Sequence, residues 1–279
     1  MASSKRYLAT QIHPMSPELI FWFMLITKMA VTALFVSFVT IIAERLGTTA
    51  GALIATLPVS AGPVYVLLAV DHDSAFISMS AVSSLALNAA TAIFITVYVL
   101  FAQQRPLWCS VSLALAAWLA AAVTLTFVHW TGWSASILNV AVLALCLIIV
   151  KPFRHVRMLP KIQSWHAFAV RAAMVTLLVG AVVVLSFKIG PAGSGALAMF
   201  PVVSMSIMVI LHRVVGGPAT AALLANAIFG LAGFGVALLT LHLTAVPFGS
   251  GVALLVALGV SVCWNATIFA TRHYHQTLA

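Results

Sequence analysis

Almost the whole chain is built of apolar runs of eighteen residues or more, and that feature limits its folds more than any other. A helix rises about 1.5 Å per residue, so such a run crosses a hydrocarbon layer about 30 Å thick. Only 6% of the 279 residues are charged. Ordinary globular chains carry about 25%, so no soluble fold of this length could cover its core. The alternating pattern of a membrane barrel is absent. The chain reads as an all-α integral membrane protein, a single transmembrane domain over residues 1–279.

The net charge of +9 raises the question of nucleic acid. The basic residues stand singly between apolar runs, apart from Lys151, Arg154, Arg157 and Lys161. Charge placed that way sets orientation in a membrane and forms no nucleic-acid footprint. Cys109, Cys146 and Cys263 all lie inside apolar runs, without the spacing of a zinc or haem site. The nine histidines are scattered, so no metal or other cofactor is expected. Lys5 and Arg6 precede an apolar stretch too long for a signal peptide, and that stretch reads as a permanent first span.

Punctuation between the runs gives nine spans. They are TM1 19–44, TM2 47–70, TM3 75–103, TM4 106–129, TM5 133–150, TM6 164–189, TM7 191–213, TM8 217–243 and TM9 248–271. Polar or Gly/Pro turns such as Asp71-His72-Asp73 and Gly216-Gly217-Pro218 end the helices. With the N-terminus outside, the inner loops hold Arg45, Arg105, the 151–161 cluster, Arg213 and Arg272, as the positive-inside rule asks. A bacterial cytoplasmic (inner) membrane is expected, with the C-terminus inside.

An internal repeat carries the functional reading. Shifted by 143 residues, Lys28 falls on Arg171, Gly47 on Gly190 and Pro58-Val59 on Pro201-Val202. A basic residue, a glycine and a proline in register inside spans rarely coincide by chance. The matched helices are five spans apart, so the copies cross in opposite senses. Repeat A (19–129) and repeat B (164–271) are then inverted four-helix units, TM1–4 and TM6–9, joined by a linking region, 130–163, that contains TM5. This architecture resembles the small inverted-repeat secondary transporters, such as the sodium/proton antiporter and bile-acid symporter folds. It departs from them in placing its breaks early in each repeat and in lacking a carboxylate at mid-span.

TM2 and TM7 are the interrupted helices. TM2 carries Pro58, Gly62 and Pro63 near its middle, and TM7 carries Pro201. Proline removes a backbone donor, and in lipid the freed carbonyls need protein or a watery cavity. A broken helix also offers a half-helix N-terminus to an anion, with Ser60, Ser204 and Ser206 as candidate hydroxyls. A plain proline kink is the competing explanation.

Lys28 and Arg171 are cations placed some way into spans, where charge costs about 2.5–3.5 kcal/mol on insertion scales. Lys28 is expected to face a central polar cavity, with Arg171 its inverted counterpart, unless both snorkel to headgroups. The four acids, Glu18, Glu44, Asp71 and Asp73, all read as lying at span ends or in loops, with none within a turn or two of Lys28. Asn88 and Asn226 occur in similar contexts, related by a shift of 138, and buried amides bridge helices or contact substrate.

These features point to a secondary active transporter of a small organic anion or zwitterion, with H+ or Na+ as the candidate symport ion. A lipid-carrier flippase or an ion channel would use similar parts. An intramembrane enzyme needs a catalytic constellation, and none stands within the spans. Membrane lipid is an expected partner, and the oligomeric state is open.

Overall fold

The computed structural model describes residues 17–45, 61–154 and 165–277. Their regular structure is helical, with no strand among them. The helices are α1 (Pro17–Arg45), α2 (Ala61–Asp71), α3 (Ser74–Phe101), α4 (Leu107–Thr126), α5 (Gly132–Val150), α6 (Trp165–Ala198), α7 (Val202–Val215), α8 (Gly217–Phe248) and α9 (Ser250–Thr277). A 3-10 turn, Lys151–Phe153, follows α5.

Among the described residues, six helical stretches are long and apolar enough to cross a membrane: Ser74–Phe101, Leu107–Thr126, Gly132–Phe153, Ala173–Val215, Gly217–Phe248 and Ser250–Thr271. Trp22–Leu34 and Ala61–Asp71 are shorter apolar helices. Local chemistry fixes several ends. Asp73 caps α3, its carboxylate accepting from the Phe76 N–H at 2.8 Å. Thr131 and Ser134 form a reciprocal capping box on α5. Proline cannot continue α6, so α7 starts afresh after Pro201.

Residues 173–215 would make a helix about 65 Å long, twice the hydrocarbon thickness. Gly190 divides the stretch: its φ of 66° lies in the left-handed region that only glycine enters freely. Pro191 then opens the following helical segment, where its fixed φ suits a first turn.

The core gathers on α3. In its apolar window 78% of residues are buried, against 22% in that of α9, so α3 is the helix wrapped on all sides. It packs against α4, α5, α6 and α8, while α1 lies against α6 and α2. Leu34, Phe23 and Leu255 are largely exposed, as they would be toward lipid.

Candidate functional site

Polar side chains run the length of α3 and tie it to nearly every neighbour. The Tyr65 hydroxyl donates to Ser84 Oγ (2.6 Å), which donates to the Gly195 carbonyl (2.7 Å). Ser83 donates to the Ala192 carbonyl at 2.8 Å. Tyr98 pairs with His212 Nδ1 at 2.8 Å, and Ser78 with His242 Nδ1 at 2.8 Å. Residues 192, 195 and 212 meet 83, 84 and 98 in ascending order, so the segment after Gly190 runs alongside α3 in the same direction.

The interruption between Ala198 and Val202 sits against this spine. Met199 and Phe200 bond backward in a tight turn, to Ala196 (3.2 Å) and Leu197 (3.0 Å), and Met205 N–H closes on Pro201 O at 2.9 Å. The Thr91 hydroxyl lies 3.3 Å from the Met199 carbonyl, a group that the break frees. Trp118 of α4 donates to Thr91 Oγ at 3.4 Å and meets Phe200 edge-on at 5.2 Å. The broken backbone is therefore held by protein groups, as a low-dielectric setting demands. Pro201 is buried at this break. Ser206 is also buried, its hydroxyl turned back to the Val203 carbonyl at 2.7 Å, and Ser204 is half-buried in the first turn of α7.

Asn88 is fully buried at the middle of α3. Its Nδ2 donates to the Leu231 carbonyl of α8 (2.9 Å) and to Asn139 Oδ1 of α5 (3.2 Å). Its Oδ1 is buried without a partner. Asn226 lies elsewhere, donating to the Ala222 carbonyl (2.9 Å) and toward the Arg154 carbonyl (3.4 Å). The helix starts Ser74 and Gly217 stand 143 residues apart, as do Asn88 and Leu231, whose carbonyl accepts from Asn88.

Lys28 differs from its expectation. Its ammonium pairs with the Asp71 carboxylate, with side chains only 20% and 13% exposed. The acid comes from 43 residues away, at the last position of α2. No acid stands within a turn or two of Lys28 along the chain, and Asp71 reaches it because α2 delivers its C-terminal end to α1. Lys28 is thus level with the turn into α3 and not with the middle of that helix. Beside the pair, His72 bonds Ser186 of α6 at 2.9 Å and stacks on Phe76 at 3.8 Å. Arg171 is carried on α6, with its side chain outside the described residues, where Pro58 and Ser60 also fall. Gly62 and Pro63 lie in the first turn of α2.

The opposite end of α3 carries Arg213 over the Trp108 ring (5.4 Å) and Arg154 over Phe229 (4.6 Å). Tyr65, Thr91, Trp118, Asn139 and His242 were not singled out in the sequence. One signal was present, since Ser80, Ser84, Asn88 and Thr91 recur at helical spacing on one face. Comparison of the chain with protein-family models, with curated proteins and with solved structures finds no match.

Proposed function

We propose that the protein is a secondary active transporter of a small organic anion or zwitterion, working by alternating access in symport with H+ or Na+. The solute site lies at mid-membrane between the broken helices. The observation that carries this reading is the interruption at 199–201 inside an apolar stretch, which starts a new 14-residue helix within the bundle. The Val202 N–H is taken by the Phe200 carbonyl at 2.7 Å, and the Val203 and Ser204 N–H groups with the positive dipole end suit a carboxylate.

The 143-residue spacing supports two inverted repeats within nine spans. Helix α8 starts 143 residues after α3, and α9 starts 143 after α4. Helices α2 and α7 start 141 apart and end 144 apart. Packing is symmetric in the same sense: α3 meets α8, α1 meets α6, and α5 touches both α3 and α8. The contact of α2 with α9 is matched by that of α7 with α4. The bond from Asn88 to Leu231 joins residues 143 apart, which is where a pseudo-two-fold axis would cross. Placing the basic end of α3, with Arg105, Arg154 and Arg213, in the cytoplasm puts the N-terminus outside. Lys28 and Asp71 then brace the outer end of the bundle and do not hold the solute.

Counterflow in proteoliposomes tests the reading. Vesicles preloaded with the transported acid should accumulate labelled acid transiently against its gradient, and protein-free vesicles should not. Simple equilibration without overshoot would indicate a channel, and movement of lipid-linked solutes alone a flippase.

A further inference from the structure

We propose that Asn88 Oδ1 receives a hydrogen-bond donor of the transported solute, so that the solute is a zwitterion or hydroxy acid and not a bare carboxylate. The inference rests on the transporter reading above. Leu231 O has only acceptor capacity, so it fixes which end of the Asn88 amide carries nitrogen. The planar group then holds Oδ1 away from Leu231, fully buried and without a partner. An unpaired acceptor in such a setting is unfavourable, and a donor on a ligand would recover that cost.

The position suits that role. Ser84, one turn before Asn88, touches Tyr65 in the second turn of α2. Thr91, one turn after, reaches the Met199 carbonyl at the break before α7. These three residues share one face of α3, so Asn88 stands between the level of Tyr65 in α2 and that of the break before α7. A carboxylate held at the α7 N-terminus and an ammonium or hydroxyl at Asn88 use both features at once. Selectivity follows, because a site built to accept a donor rejects the analogue that lacks it.

The test is counterflow with matched acids: propionate against lactate and alanine, and succinate against malate and aspartate. Wild-type protein should exchange a donor-bearing member and discriminate against its bare partner by ten- to a hundredfold. Asn88→Leu should remove that discrimination, and Asn88→Ala serves if the leucine variant does not fold. Equal exchange of bare and donor-bearing acids, or discrimination that survives both substitutions, overturns the role of Asn88 and leaves the transporter intact. Exchange of none of the six acids overturns the small-acid transporter itself.

Discussion

Gly195→Val is expected to lose most of its folded yield and to melt well below the wild type. A Cβ at Gly195 would stand 2.2 Å from the Ser80 carbonyl oxygen and 3.0 Å from Ser83 Cβ. The first of these is backbone, so relief requires α3 and the segment after Gly190 to move apart. That movement breaks the bonds from Ser84 to Gly195 O and from Ser83 to Ala192 O. Overpacking costs about 1–3 kcal/mol and each hydrogen bond about 0.5–1.5. The total of about 2–6 kcal/mol is a large share of the stability of a typical fold. On the scale of globular domains it lowers Tm by roughly 5–20 °C. Gly251→Val is the control, since Gly251 is exposed with nothing within 4 Å of its added Cβ. A thermal-shift measurement in detergent compares the two. Equal melting of Gly195→Val and wild type would mean that the two helices do not touch there.

The second large effect concerns the ion pair. Asp71→Lys sets two cations together in a half-shielded place and should destabilise strongly. The double variant Lys28→Asp with Asp71→Lys should recover most of the loss. Removing one partner of a fully buried pair costs about 3–5 kcal/mol. Side chains 20% and 13% exposed argue for less, and a coupling of about 1–3 kcal/mol is expected from the double-mutant cycle. Additive single effects, measured by the same melting assay, would show that the pair does not form in the membrane. Lys28→Ala should accordingly act through stability. Loss of uptake by folded Lys28→Ala protein would restore Lys28 to the solute site.

These two cases mark what was legible in the sequence. Helix ends were readable wherever punctuation stands in an apolar run, as at Asp71-His72-Asp73, Gly190-Pro191 and Gly216-Gly217-Pro218. The break at Pro201 was readable for the same reason. The partner of Lys28 was not, because an ion pair across 43 residues depends on which helix faces meet. In a bilayer that choice leaves little trace in hydropathy, since lipid-facing and core-facing positions are equally apolar. Phe23 is 65% exposed and Phe94 fully buried, yet their residue type is the same. Polar spacing on α3 was the better guide. It marks Ser84, Asn88 and Thr91, but their partners on α5 and α8 and at the break before α7 come only from the packing. The proposed solute site inherits that limit: its glycine, prolines and serines were visible, and the unpartnered Asn88 Oδ1 emerged only with Leu231 and Asn139 around it.

Alternating access at the α7 break is the central claim, and a single cysteine at Ser204 tests it most directly. The native thiols Cys109, Cys146 and Cys263 are free, so all three are first replaced and the protein is reconstituted in one orientation. An impermeant thiol reagent is then applied to one face of the vesicles at a time. The account predicts labelling of the Ser204 cysteine from either face, with transported solute slowing both reactions. Labelling from neither face would make the break at Pro201 a sealed proline kink, and labelling from one face alone would contradict alternating access.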